Sequence, residues 1–232
     1  MKAIARHQPL PIDHPESLVD TTLPVPVPGP RDLLVRVNAV SVNPVDAKVR
    51  ASAAADGQPK VLGFDAAGVV EAVGAQVTLF KVGDRVMYAG DITRPGSNAE
   101  LQAVDERIVG RMPASLGFAE AAALPLTAIT AWELLFDRLG VTPATKGTLL
   151  VVGAAGGVGP ILVQLARQLT ALTVVGTASR PETQAWVREL GAHHVIDHTK
   201  PLTEGLRAAG VGPVEFVASL TQTDQHYAQI VE

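Results

Sequence analysis

Leu149-Leu150-Val151-Val152-Gly153-Ala154-Ala155-Gly156-Gly157-Val158-Gly159 is the stretch on which the reading of this chain turns. Four consecutive apolar residues suit a strand buried on both faces, and the glycines that follow suit a tight turn. From residue 158 to 169 the spacing then predicts a helix. Strand, glycine turn and helix in that order are what a dinucleotide site requires. Gly156 has no side chain, so the backbone there can approach a pyrophosphate closely, and Gly159 lets the helix pack against the strand. Unpaired N–H groups at the helix start attract the phosphate charge. Ala154 stands where the G-x-G-x-x-G pattern has its first glycine, so the strict pattern is missed by one methyl. The competing reading is a tight turn with no ligand.

Further strands and helices surround this turn. Toward the C-terminus come a strand at 173–177, a helix at 182–190, and strands at 194–196 and 214–218. Strands alternating with helices predict a parallel sheet covered on both faces. Only four such strands are legible, against about six in a dinucleotide-binding fold. Residues 223–232 read as the start of another helix. The expectation is a C-terminally truncated piece of a longer protein, or a short relative.

Toward the N-terminus, residues 118–139 are rich in Ala and Leu and read as two helical stretches broken at Pro125. Before them the texture is β-rich. Pro24, Pro26, Pro28 and Pro30 alternate along an extended connector. Residues 33–42 alternate apolar and polar, and further strands are expected at 66–73, 85–89 and 99–104. Short strands at that spacing suggest a small antiparallel barrel or sandwich. The texture changes between residues 113 and 128, and the division is placed as 1–122 and 123–232.

Composition narrows the function. The chain has 232 residues, 47% of them hydrophobic and 18% charged, with a net charge of -4. That is ample for a core and leaves no basic surface for nucleic acid. There is no cysteine, which removes disulfides, thiol nucleophiles and thiolate metal sites together. Without cysteine or a G-x-S-x-G turn, a hydrolase finds no support. Residues 147–166 carry no charge over the length of a membrane helix, but Gly153, Gly156, Gly157, Gly159 and Pro160 would break it, so no membrane partner is expected. Met1-Lys2-Ala3-Ile4-Ala5-Arg6-His7 holds no apolar signal core, and a cytoplasmic location is expected. His193, His194, Asp197 and His198 suggest a metal cluster, yet consecutive strand residues point to opposite faces and would not converge on one ion.

The second strand of the parallel sheet ends in Gly176-Thr177-Ala178-Ser179-Arg180. An NAD site usually carries Asp or Glu there to bind the ribose hydroxyls. Ser179 and Arg180 instead suit a 2′-phosphate, which favours NADPH, with NADH as the alternative. Arg180 as an ordinary surface arginine is the plainer explanation.

Several motifs now join up. Ala154-Ala155-Gly156-Gly157-Val158-Gly159, with Gln164 and Arg167, resembles the quinone oxidoreductase branch of the medium-chain dehydrogenase/reductase superfamily. So do Asn43-Pro44-Val45-Asp46, Gly63-Phe64-Asp65-Ala66-Ala67-Gly68, Lys81-Val82-Gly83-Asp84-Arg85-Val86 and Leu126-Thr127-Ala128-Ile129-Thr130-Ala131. The resemblance covers essentially the whole chain. It implies a GroES-like substrate domain followed by a Rossmann domain, a doubly wound parallel sheet, with the active site in the cleft between them. The family's later return of the chain to the first domain is missing here.

The resemblance also implies a site. The zinc positions of the related alcohol dehydrogenases fall on Asn43, Phe64 and Thr127, a set unsuited to the metal, so none is expected. Without a Lewis acid, hydride addition to a quinone or an α,β-unsaturated carbonyl is favoured, because its charge spreads into an enolate. Asn43, Asp46 and Lys48 are the expected catalytic residues. Lys48 stands where the quinone reductases commonly have Tyr, and its ammonium could bond a carbonyl oxygen or supply a proton. Cofactor contacts are expected at Thr127, Ala155, Gly156, Gly157, Val158, Gly159, Ser179, Arg180 and His198. Plainer roles compete: turn formation for Asn43 and Asp46, surface exposure for Lys48, helix packing for Thr127. The implied partner is a small-molecule substrate. The superfamily usually dimerises through far Rossmann strands that this chain lacks, so a homodimer is an expectation for the full-length protein alone. The alternative functions are a zinc-type alcohol dehydrogenase and a non-catalytic cofactor-binding protein.

Overall fold

The computed structural model describes residues 1–52 and 58–231. Among them the chain forms two compact units, Met1–Leu126 and Thr127–Glu232.

The first unit runs β1 (Lys2–Arg6), β2 (Val19–Thr22), β3 (Asp32–Ser41), α1 (Pro44–Ser52), β4 (Lys60–Val61), β5 (Asp65–Val73), β6 (Arg85–Ala89), β7 (Leu101–Asp105), β8 (Gly110–Arg111) and α2 (Phe118–Ala122). Its strands form two antiparallel sheets, ordered β2-β1-β4 and β7-β3-β5-β6-β8. The long pair β3–β5 holds the larger sheet together, with two register irregularities that let it bend. Gly68 sits where β5 presses on β3: a Cβ there would lie 2.1 Å from the Arg36 carbonyl oxygen. Leu33, Val35, Ala66, Val70, Val86, Tyr88 and Val104 fill the core. Ala121 and Ala122 of α2 pack on Ala67 and Met112. The β-rich expectation holds, and strand 85–89 falls where the alternation placed it. Turn formation is the plainer role that the sequence offers for Asn43-Pro44-Val45-Asp46, and the stretch in fact leads into the helix α1. Proline is pre-shaped for the first helical position, and Asp46 accepts the Asn43 N–H at 2.7 Å, one half of a capping box.

From the first unit α3 (Pro125–Trp132) carries the chain onward, passing into a π-helical turn at Glu133–Arg138. The break expected at Pro125 is there. The second unit then runs β9 (Thr148–Val152), α4 (Gly159–Leu169), β10 (Thr173–Thr177), α5 (Pro181–Glu189), β11 (His194–Ile196), α6 (Leu202–Ala208), β12 (Phe216–Ser219) and α7 (Thr223–Val231). Glu232, which the reading gave to the last helix, lies outside the described residues. The four strands are parallel in the order β11-β10-β9-β12. Why β9 reads as unbroken apolar sequence is now plain. Leu149 and Val151 pack with Leu162, Val163 and Ala166 of α4, while Leu150 and Val152 pack with Leu202 of α6 on the opposite side. This is the doubly wound parallel sheet of a Rossmann fold, and among the described residues of this unit α6 is the helix that the periodicity did not reveal.

Candidate active site

The glycine turn follows β9 directly. Gly153 adopts φ +82°, a left-handed conformation, and a Cβ there would lie 2.7 Å from the Thr221 methyl. A Cβ on Gly159 would lie 2.4 Å from the Ala154 carbonyl oxygen, so this position is closed to any side chain. Gly156 and Gly157 differ. Both are exposed at the tip, and a Cβ on either would meet its nearest protein atom only at 3.4 Å: the Gly153 carbonyl oxygen for one, the Thr127 methyl for the other. The fold tolerates a side chain at these two positions, and their bareness leaves the backbone open from outside. Behind them α4 starts from Val158 without a side-chain cap, so no side chain claims its first N–H groups, and Pro160 has none to offer. The arrangement fits a pyrophosphate of a dinucleotide.

Ala154 and Gly176 explain each other. Ala154 is fully buried, and its methyl stands 2.9 Å from where a Gly176 Cβ would be. The glycine missing from the turn has in effect moved to the neighbouring strand. No spacing rule inside the turn reports this, because the two positions meet only through the β9–β10 pairing.

Thr177, the last residue of β10, supports the turn from the neighbouring strand, and no local signal in the sequence singled it out. It is fully buried, its Oγ1 accepts the Gly153 N–H at 2.9 Å, and it lies 3.0 Å from His198 Nδ1. A buried hydroxyl needs a partner. The hydroxyl and His198 Nδ1 share one hydrogen bond, whose donor is set by the imidazole tautomer. His198, half-buried beyond β11, is thereby tied to the entrance of the glycine turn. His226 of α7 lies edge-on to it, with ring centroids 6.2 Å apart. Ala155 and Val158 are half-buried within the turn. Ser179 and Arg180 are both exposed just beyond β10, and Arg180 Nε forms an exposed ion pair with Glu182 Oε1 at 3.2 Å. His193 is a different case from a ligand: its Nδ1 accepts the Val174 N–H at 2.8 Å. Partial desolvation of this largely exposed ring, with Arg167 and His194 adding positive charge, holds its pKa below the ordinary value.

The first unit assembles a compact polar cluster. Asn43 is 8% exposed; its Nδ2 donates to Asp65 Oδ2 at 2.8 Å while its backbone N–H goes to Asp46. The other oxygen of Asp46, Oδ1, is buried without a partner, an acceptor left over by the fold. Asp65 has no solvent exposure. Its Oδ1 accepts the Leu126 N–H at 2.8 Å, and its carbonyl oxygen accepts from Ser97 Oγ at 3.1 Å. Burial pushes its carboxyl pKa up, against the lowering effect of the Asn43 and Leu126 bonds. Lys48 is exposed on α1, two residues and about 200° of helix turn from Asp46.

These residues do not fit zinc. Phe64 has no donor atom, Asn43 has its amide nitrogen committed to Asp65, and a threonine hydroxyl is a poor ligand. Among the described residues no three His, Asp or Glu side chains are placed to share an ion. Nor does any helix among them have the length and apolarity to cross a membrane.

Comparison with known proteins places the chain. Residues 29–132 match the alcohol dehydrogenase GroES-like domain. A zinc-type alcohol dehydrogenase-like protein of Staphylococcus epidermidis is 39% identical over 235 residues, covering 100% of this chain and 69% of its own length. The quinone oxidoreductase of Pseudomonas aeruginosa is 40% identical over 174 residues, 74% of this chain and 52% of that protein. The chain belongs to the medium-chain dehydrogenase/reductase superfamily, in its quinone oxidoreductase-like branch. Among solved structures, a protein of Rhizobium etli CFN 42 named as a candidate zinc-dependent alcohol dehydrogenase superposes with a TM-score of 0.92 at 58% identity. That match spans 99% of this chain and 68% of the other. A Staphylococcus aureus homologue is 43% identical over 211 residues, a match that covers 89% of this chain and 62% of that protein.

Proposed function

We propose that the protein is an oxidoreductase that uses NADPH to reduce a quinone or an α,β-unsaturated carbonyl, without a metal. The observation that carries the reading is the bare tip of the glycine turn at Gly156 and Gly157, above an α4 start that no side chain caps. The quinone oxidoreductase relative supports the class of acceptor. When bound, NADPH supplies a hydride. Ala155, Gly156, Gly157, Val158 and Gly159 would hold its pyrophosphate, Ser179 and Arg180 the 2′-phosphate, His198 the adenosine end and Thr127 the carboxamide of the nicotinamide.

In the first unit Asn43 and Asp46 would orient the reacting groups by hydrogen bonds, Asp46 also holding the Asn43 backbone N–H. The Lys48 ammonium would meet the charge that develops on the acceptor oxygen and return a proton to it. A conjugated acceptor suits such a site. Its charge is delocalised and needs only hydrogen bonds, whereas an isolated carbonyl calls for a Lewis acid that Asn43, Phe64 and Thr127 cannot hold. The same reading puts the protein in the cytoplasm, acting on a small molecule, and makes the full-length protein a homodimer.

The test is turnover by the full-length protein with NADPH and a panel of quinones, enones and aldehydes, with and without a chelator. Quinone or enone reduction that survives chelation is expected. Turnover of aldehydes alone, or its loss on chelation, overturns the proposal. For the cofactor, Arg180→Ala should raise the KM for NADPH about tenfold or more, the worth of one bond to a charged phosphate, and leave that for NADH unchanged. Equal changes for both would remove Arg180 from the site.

A further inference from the structure

We infer that Asp65 is a positioning residue, whose buried carboxylate selects one of the two orientations of the Asn43 amide. The inference rests on the reading that Asn43 orients the reacting groups.

Asp65 stands at the start of β5 with no solvent exposure, followed by Ala66 and Ala67, which are fully buried too. A carboxyl group is a costly choice in such surroundings unless each oxygen has a donor. Here each has one: Oδ2 faces Asn43 Nδ2 and Oδ1 faces the Leu126 N–H. The backbone beneath is fixed as well. Ser97 Oγ holds the Asp65 carbonyl oxygen, and Gly63, at φ +103°, leaves no room for a Cβ, which would lie 2.5 Å from Ser97 Oγ.

A primary amide has nearly equal ends in shape but opposite ends in chemistry. An ionised carboxylate only accepts hydrogen bonds, so it forces the Asn43 nitrogen inward and leaves Oδ1 and the second N–H for other partners. Asp46 holds the Asn43 backbone N–H at the same time. Two carboxylates therefore fix one asparagine at its main chain and at its side chain. Leu126, the third party to the cluster, immediately precedes Thr127.

An isosteric change isolates the effect. In Asp65→Asn the Leu126 N–H still needs an acceptor, so the new amide turns its oxygen there and its nitrogen toward Asn43. Asn43 must then present oxygen inward and show the opposite face outward. The full-length enzyme should lose at least tenfold in kcat with its Kd for NADPH unchanged, because the glycine turn is untouched. Asn43→Ala should lose a similar factor, and the double variant should lose no more than either alone.

Outcomes separate the two claims. If Asn43→Ala keeps full kcat, the reading of Asn43 falls and the inference with it. If Asn43→Ala is slow while Asp65→Asn is not, or if the two losses multiply, the positioning role alone is overturned. Should Asp65→Asn fail to fold, the exchanged pair Asn43→Asp with Asp65→Asn restores a donor opposite an acceptor and carries the test. It is expected to melt near the parent yet stay slow, and full kcat in that pair overturns the inference.

Discussion

The candidate binding surface of the second unit is almost entirely backbone, whereas that of the first is a knot of polar side chains that hold one another. Residues 153–159 build the turn from one contiguous stretch, and its requirements are steric: a left-handed φ at Gly153 and no room beside Gly159. Asn43, Asp46, Asp65 and Leu126 come from three separate stretches, and their requirement is that each donor meet an acceptor. A surface made of backbone fails by collision, and one made of side chains fails by an unpaired polar group. The two failures have different sizes and different remedies.

Substitutions within the turn should separate fold from binding most sharply. Gly159→Ala should destabilise the second unit by about 3 kcal/mol, the upper range for forcing a methyl into a packed site, seen as a large drop in melting temperature. Gly156→Ala should leave the melting temperature within about 1 °C yet weaken NADPH binding at least tenfold, since its methyl would occupy only outside space. Equal effects of the two would end the distinction between structural and ligand-facing glycines.

Thr177→Val comes next. It removes the acceptor for the Gly153 N–H and the hydroxyl bonded to His198 while keeping the shape, and should cost about 1–2 kcal/mol in denaturant unfolding. A neutral result would mean that water takes over both bonds and that His198 is not tied to the turn.

The smallest effect is one of pH. His193 must be neutral to accept the Val174 N–H, and its folded pKa lies below the ordinary 6.5, while the unfolded chain titrates near that value. The unfolded state therefore binds the proton more readily. Its contribution is complete above about pH 6.5 and declines as the pH falls toward the folded pKa. Denaturant midpoints should drop slightly between about pH 7.5 and pH 5.5, and less in His193→Gln. An identical decline in both would assign it to other groups.

How much of this was legible in the sequence follows from the same contrast. The parallel sheet was readable because Leu149-Leu150-Val151-Val152 must be apolar on both faces, and strands 148–152, 173–177 and 194–196 needed no knowledge of distant partners. The turn glycines were readable for the same local reason. Thr177 and Gly176 were not, because their meaning lies across the strand pairing, against Gly153 and Ala154. Asp65 was visible only as part of a motif. That it answers Asn43, 22 positions earlier, and Leu126, 61 later, is a fact of tertiary structure that no spacing rule contains. α1 was hidden for a subtler reason: Asn-Pro-x-Asp serves equally well as a turn or as a helix start, and only the residues beyond decide.

The bond between Asn43 and Asp65 also bears on what this chain can become. Asn43→Cys and Phe64→His would put two metal-binding side chains into the first unit. The cysteine, however, has no amide to offer Asp65, and a buried carboxylate would lose one of its donors, at a cost of about 1–3 kcal/mol before any ion arrived. The chain with Asn43→Cys alone would therefore be less stable than the present one. In evolutionary terms the carboxylate is a barrier: the way from this asparagine to a metal ligand runs through Asp65 first.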